Sequence, residues 1–449
     1  MAGETAARPA WEFPGAFWIA NGAELFERAA YYGTFIALAL YLSDVVGFTD
    51  VEAGWIGAGF AALIYLLPFV SGALADRTGF RTALISAFSL LALGYASLGL
   101  FPSKPAVLLA LVCVAAGGSI VKPVITGTVS RSSDEASRAR AFSIFYMIVN
   151  IGSFTGKTIA KPVRVTLGLE YVPLYSAGAA LLALLLVLLV YHPKESPEAP
   201  RSAAEALRGM WAAVRNLRFL ALILITAGFW AIQGQLYASM PKYVIRLIGA
   251  DASPEWYANV NPLVVVCCVV PLTALAKRLA PVTSIAISLA LVPFSALLMA
   301  ASGLFHRPFD LLGHAVHPIT ALMVAGIALQ GLAECFLSPR YLEFASLQAP
   351  RGKEGLYLGY SHLNTFFAWS FGFVSSGYLL DAFCPDPKKL SAAGLSPAQV
   401  QAAYAHAPYL WLFFFGVGVA ALLALLVFQA VTRRLDRRGR TNLPSFVEH

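Results

Sequence analysis

Residues 410–431 read LWLFFFGVGVAALLALLVFQAV, an apolar stretch without a single Asp, Glu, Lys or Arg. A helix of about 20 residues is long enough to cross the hydrocarbon core of a bilayer, so this stretch predicts a transmembrane span. The 449-residue chain is 58% hydrophobic and only 12% charged, whereas soluble domains carry about 25% charged residues. The sequence therefore predicts an all-α membrane protein.

Apolar windows of helical length recur along the whole chain. They predict twelve spans, at 16–42, 53–75, 82–101, 105–129, 141–163, 171–191, 217–247, 257–279, 282–304, 318–343, 356–383 and 408–432. A polar stretch with three prolines separates the sixth span from the seventh. We therefore expect an N-terminal six-helix half at 1–191, a cytoplasmic linker at 192–216 and a C-terminal six-helix half with a basic tail at 217–449.

The distribution of Lys and Arg predicts the orientation in the membrane. The loops after even-numbered spans, together with the C-terminal tail, hold more than twice as many of these residues as the opposite loops. By the positive-inside rule, both termini are expected to be cytoplasmic in a multi-pass protein of the cell (inner) membrane. The net charge of +8 is thus a topology signal, and we do not expect nucleic-acid binding.

Charged residues inside the predicted spans are the strongest functional signal, because each costs roughly 2.5–3.5 kcal/mol at a helix centre. Glu24 and Arg28 are one helical turn apart and are expected to pair, which leaves Glu27 for another partner. Lys122 and Glu334 lie at similar depths, roughly 24–26 Å into the fourth and tenth spans. An ion pair between the two halves is therefore expected, either to lock helices together or to handle protons and substrate.

Other polar residues in the spans are less specific. Lys157 lies near the predicted external end of the fifth span, where its side chain could reach the interface. Tyr31, Tyr32 and Tyr65 could line a polar cavity or simply pack. The histidines have no metal-site spacing, and no phosphate-binding loop, zinc motif or nucleophile elbow is present. We therefore expect no metal, no cofactor and no enzymatic activity, and energy from an ion gradient.

Several motifs resemble those of known transporters. The stretch GALADRTGFR at 72–81 resembles the loop motif of the major facilitator superfamily. A narrower resemblance is to the proton-dependent oligopeptide transporter family. It rests on ELFER at 24–28, YYG at 31–33, YLLP at 65–68, GGSIVKP at 117–123, FSIFYMIVNIG at 142–152, NPL at 261–263 and ECFLSP at 334–339. Together these segments extend over most of the chain.

The resemblance implies a fold of two six-helix halves and a function. It implies a symporter that alternates access between the two sides of the membrane and imports di- or tripeptides with protons. Proton coupling is implied for Glu24, Glu27, Lys122 and Glu334. Substrate contacts are implied for Arg28, Tyr32, Tyr65, Lys122, Asn150 and Glu334.

The sequence also departs from the family pattern. Phe35 stands where the family usually has an Arg, so one cation for a peptide carboxylate is missing. Gln233 and Gln235 lie in the seventh span, where acidic residues are common, and Lys157 replaces an apolar residue or Pro. Two alternatives therefore stay open: a proton-coupled transporter of another small solute, and a non-transporting sensor built on a transporter fold.

Overall fold

The computed structural model describes residues 13–134, 137–193, 208–209, 211, 215–276, 279–305, 308–311, 313–347 and 354–437. These residues are almost entirely helical. The first part of the chain contains α1 (Gly15–Asp44), α2 (Asp50–Leu66), α3 (Pro68–Thr78), α4 (Phe80–Leu100), α5 (Lys104–Arg131), α6 (Arg138–Thr166) and α7 (Tyr171–Val190). Most of the predicted linker at 192–216 and both chain ends lie outside the described residues.

The later part of the chain has more interruptions. Its helices are α8 (Leu217–Gln233), α9 (Gln235–Ala238), α10 (Met240–Ile248), α11 (Pro254–Tyr257), α12 (Val260–Ala276), α13 (Pro281–Ala301), α14 (Pro318–Leu347), α15 (Glu354–Ser361), α16 (Leu363–Phe383), α17 (Pro387–Ala392), α18 (Pro397–Ala403) and α19 (Tyr409–Arg437). A short 3₁₀ turn, Ser302–Leu304, follows α13. The strands β1 (Phe309–Leu311) and β2 (His314–Val316) form an antiparallel pair just before α14.

Eight helices of the described chain are long and apolar enough to span a membrane, and a ninth span counts if α2 and α3 are taken together. The bend of 44° between α2 and α3 occurs at Pro68, whose ring removes a backbone donor. The helices α1, α6 and α16 have 30, 29 and 21 residues, but they carry charged or polar side chains. Adding them is consistent with the twelve expected spans.

The chain divides into two compact units. The first unit comprises Met1–Thr34, Leu66–Arg164 and Glu170–Ala203, and the second comprises Phe35–Tyr65, Val165–Leu169 and Ala204–His449. The boundary between them runs through α1 and through the last turn of α2, so these units are not the two predicted sequence halves. The division at 191 and 217 stays a prediction.

In the first unit, α1 and α6 approach each other closely at a glycine. A Cβ atom added at Gly156 would overlap the backbone of Ala29. Glycine lets two helix backbones come into direct contact, which is a common device in membrane proteins. This contact places the second half of α6 against the charged turns of α1.

The 72–81 motif forms the connection from α3 to α4. Gly79 has a φ of 85°, a conformation that L side chains rarely adopt, and it separates the two helices. Arg131 at the end of α5 has Nη2 3.7 Å from Asp76 Oδ1, and its guanidinium carbon lies 3.9 Å from the centre of the Phe80 ring. The motif therefore ties α3, α4 and α5 together within the first unit.

Candidate functional site

Three charged residues lie within two turns of α1, in the first unit. Glu24 and Glu27 are each 1% exposed, and Arg28 Nε lies 3.3 Å from Glu24 Oε1. The expected Glu24–Arg28 pair is confirmed. The expectation that Glu27 is left without Arg28 is wrong, because Arg28 Nε also donates a hydrogen bond to Glu27 Oε2. The single Nε–H of Arg28 is donated to Glu27, so the 3.3 Å approach of Glu24 to the same nitrogen is an ion pair and not a second hydrogen bond.

In each of these two carboxyl groups, one oxygen accepts no hydrogen bond. Among the described residues, Glu24 Oε2 and Glu27 Oε1 are buried and have no hydrogen-bond partner. Lys122 on α5 is a further cation that interacts electrostatically with both carboxylates. Two acids and two cations therefore share this part of the first unit, and a proton added to either acid would change the balance of their charges.

The ring of Tyr32 lies between two cations. The Arg28 guanidinium carbon is 5.9 Å from its centroid, and Lys157 Nζ is 5.6 Å from it. Aromatic faces attract cations at such distances. Lys157 is only 1% exposed, so its side chain is packed inside the protein and does not extend to the membrane interface, an alternative that the sequence left open. Its side chain is buried because α6 packs directly against α1 at Gly156.

Next to Lys122, a proline lies inside α5. Pro123 has no N–H group, so the carbonyl of Ser119 loses its helical donor. Ser71 Oγ of α3 replaces that donor, at 2.7 Å from Ser119 O. The side chain of Lys122 is exposed. Asn150 on α6 is partly exposed, and its Nδ2 donates to Tyr146 O at 2.8 Å.

Glu334 lies in α14, in the second unit, and is held by two amides. Gln233 Nε2, at the end of α8, donates to Glu334 Oε2 at 2.5 Å. Asn261 Nδ2, at the start of α12, donates to the same oxygen at 3.3 Å. Lys122 belongs to the first unit and Glu334 to the second, so their expected ion pair stays a prediction.

Tyr65 and Phe35 belong to an aromatic cluster in the second unit. The Phe35 ring stacks on Trp369 with centroids 5.3 Å apart, and it also lies 4.9 Å from Tyr237. Tyr65 meets Trp369 edge-on at 5.6 Å. Phe35 is 2% exposed. The residue that replaces the family's Arg is thus a packed member of an apolar cluster.

Sequence reasoning missed a buried charge cluster in the second unit. Asp50, the first residue of α2, binds two cations of α10. Lys242 Nζ lies 2.7 Å from Asp50 Oδ1, and Arg246 donates to both carboxylate oxygens, at 2.8 and 2.9 Å. Lys242 also donates to Ser43 Oγ at 2.6 Å. The available signal was an acidic residue just before the second predicted span and two basic residues near the end of the seventh.

The described residues include no group of three His, Cys, Asp or Glu side chains placed to hold a metal ion. The polar residues described above are carboxylates, cations, amides and tyrosines. Such a set can bind protons and the charged ends of a small solute.

A family model described as Major Facilitator Superfamily matches residues 22–312, which is more than half of the chain. The chain belongs to the Major Facilitator Superfamily. Its members are transporters, so this protein is a multi-pass membrane transporter and not an enzyme. The fold that the apolar windows and the 72–81 motif predicted is confirmed.

Solved structures of peptide transporters share this major facilitator fold. A crystal structure of a peptide transporter POT in complex with sulfate matches with a TM-score of 0.72 and 20% identity, over 96% of both chains. A POT family transporter in complex with 5-aminolevulinic acid matches with a TM-score of 0.73 and 16% identity, over 94% of this chain and 97% of the other. At these identities the likeness establishes the fold.

Curated relatives match over different lengths. Dipeptide and tripeptide permease A of Proteus mirabilis is 31% identical over 149 residues, which cover 32% of this chain and 30% of the permease. The multidrug resistance protein MdtH of Aeromonas salmonicida is 24% identical over 315 residues, or 70% of this chain and 75% of MdtH. The chain thus spans about a third of the length of the peptide permeases that it matches.

Proposed function

We propose that this major facilitator protein is a proton-coupled symporter that works by alternating access and imports di- or tripeptides. The observation that carries the proposal is the buried cluster of Glu24, Glu27 and Arg28 in α1. Carboxyl groups inside a membrane protein are costly and mark proton or ion pathways. The two carboxylate oxygens without hydrogen-bond donors are atoms at which a proton could bind.

The proposed coupling uses electrostatic competition for Lys122. When Glu24 or Glu27 takes up a proton, its attraction for Lys122 falls. Lys122 then pairs with Glu334, and release of the proton from the glutamate reverses the exchange. Because Lys122 and Glu334 lie in the two sequence halves, the exchange would link protonation to rearrangement of the helices.

The proposed substrate contacts come from residues of opposite charge and from polar aromatic groups. Arg28 and Lys122 suit the carboxylate of a peptide, and Glu334 suits its amino group. The remaining proposed contacts are Tyr32, Tyr65 and Asn150. The 31% identity to a dipeptide and tripeptide permease and the resemblance of the 24–28 and 117–123 motifs support a peptide substrate. We propose the cell (inner) membrane as the location, with both termini cytoplasmic and with no cofactor besides the proton gradient.

Uptake of labelled dialanine into proteoliposomes tests this proposal. With an acidic outside, uptake should exceed the value without a pH gradient several-fold, and Glu27→Gln should abolish this stimulation. Glu52→Gln serves as the control, because Glu52 is an exposed carboxylate near the start of α2. Proton coupling would be contradicted if uptake by the wild-type protein did not depend on the pH gradient. It would also be contradicted if the gradient stimulated uptake by Glu27→Gln as much as uptake by the wild type.

A second candidate substrate class is another small solute. The packing of Phe35 against Trp369 favours it, because no cation stands at this position to meet a peptide carboxylate. A thermal-shift screen that compares dipeptides with other small anions and nucleosides tests this class, since a bound ligand raises the apparent stability. Ligand binding without any proton-driven flux would instead support the other alternative, a non-transporting sensor built on a transporter fold.

A further inference from the structure

The hydrogen bonds of Glu334 are arranged asymmetrically. Both the Gln233 and the Asn261 amides donate to Oε2, and neither bonds Oε1. A carboxylate can only accept hydrogen bonds, so the NH₂ groups of both amides must face it. The two donors come from different helices, α8 and α12, and they restrict Glu334 without cancelling its charge.

From this geometry we propose that Gln233 is a positioning residue for Glu334: with Asn261, it holds Oε2 in place while Oε1 exchanges a proton or a cation. This inference rests on the proposed function, because it assigns Glu334 a titrating role in transport. An amide suits this task better than an acid, since a second carboxylate at 233 would compete for the same proton. An amide also suits this task better than an apolar side chain, which would leave the ionised Glu334 without this hydrogen-bond donor.

Among the described residues, the helices that surround Glu334 carry few other charged groups. The helices α12 and α13, which pack on α14, contain no Asp, Glu, Lys or Arg within their bounds, and α8 has only Arg218 near its opposite end. The thiols of Cys335 and Cys268 are the neighbouring titratable groups. Among the described residues, the other charged groups of α14, α10 and α11 are Arg340 paired with Glu343, Lys242 and Arg246 bound to Asp50, and Glu255. The helix α15, which also packs on α14, begins at Glu354.

Infrared difference spectroscopy of the purified protein over a pH series tests the inference without a substrate. The carbonyl band of the protonated Glu334 is identified by its loss in Glu334→Gln. Removing the amide with Gln233→Met should raise the pH at which this band is half lost by about one to two units, because the ionised carboxylate loses a hydrogen-bond donor. Gln233→Glu should shift it at least as far and broaden the titration, because the two carboxyl groups become coupled.

Gln235→Met is the matched control. Gln235 is a second glutamine of this region, but its amide donates to Ala231 O and accepts from Ser239 Oγ. Its replacement should leave the titration unchanged. An identical midpoint in the wild type, Gln233→Met and Gln233→Glu would overturn the inference. An equal shift in Gln235→Met would do the same, as would the absence of any band that depends on Glu334.

Transport of dialanine separates this inference from the proposed function. Gln233→Met should lose most of the gradient-driven uptake and keep exchange of internal for external dialanine at equal pH. If exchange falls as far as gradient-driven uptake, Gln233 has no specific role in coupling. If the wild-type protein moves no dialanine in either mode, the peptide function fails, and the infrared titration still decides the role of Gln233.

Discussion

At the scale of single residues, two groups of buried charged side chains in the described chain have close partners of opposite charge. Asp50 is 4% exposed and meets Lys242 and Arg246, while Glu24 and Glu27 share Arg28. Burying an ion costs several kcal/mol, which a partner at hydrogen-bond distance offsets. The same residues are therefore the positions at which a single substitution should have the largest effect.

We predict that Asp50→Asn lowers the free energy of unfolding by about 3–5 kcal/mol, because it leaves two buried cations without their counter-ion. Thermal unfolding of the detergent-purified protein measures the change. Asp381→Asn is the control, since its ion pair with Lys389 has side chains that are 40% and 53% exposed and such a pair contributes at most about 1 kcal/mol. Equal losses in the two variants would refute a special role for burial.

At the scale of elements, helix contacts depend on small residues and helix bends depend on prolines. Gly156 brings α6 onto α1, and Pro123 frees the carbonyl that Ser71 then satisfies. The bend at Pro68 divides the second span into α2 and α3. These features follow from backbone chemistry, but their partners lie on other helices.

We predict that Gly156→Ala destabilises the first unit by about 1–3 kcal/mol, because its Cβ would overlap the backbone of Ala29 and overpacking costs that much. Gly178→Ala in α7 is the matched control, since a Cβ there meets nothing within 4 Å. It should leave stability unchanged or raise it by up to about 1 kcal/mol, because alanine favours a helix. Thermal unfolding of both variants compares them, and a loss in Gly178→Ala as large as that in Gly156→Ala would rule out the close contact as the cause.

At the scale of the whole molecule, the charge distribution predicts one orientation in the membrane. In a cysteine-free background, Lys388→Cys should react with a membrane-impermeant maleimide in intact cells. Arg77→Cys should react only after the membrane is permeabilised. Both side chains are exposed, so a difference in labelling between the two positions reports which side of the membrane each one faces. Labelling in the opposite order would show that both termini face the outside.

Some expectations from the sequence hold because they depend on local composition. Spans follow from apolar length, and the family follows from short motifs whose residues are close in the chain, such as 72–81. The Glu24–Arg28 pair is also local, since a helix brings residues four apart onto one face. The environment of Lys157 stayed open at the level of the sequence, because its burial depends on the packing of α6 against α1, and the neighbouring residues in the chain do not predict that packing.

By itself, the sequence determined that this chain crosses the membrane many times, that it has a major facilitator fold and that a few charged residues lie inside its predicted spans. Hydropathy and charge act residue by residue, so they can be read along the chain. Only the tertiary structure decided which group each charge meets: Gln233 with Glu334, and Asp50 with Lys242, 192 residues away. Partners are chosen where helices cross, and a crossing depends on packing between segments that are distant in the chain.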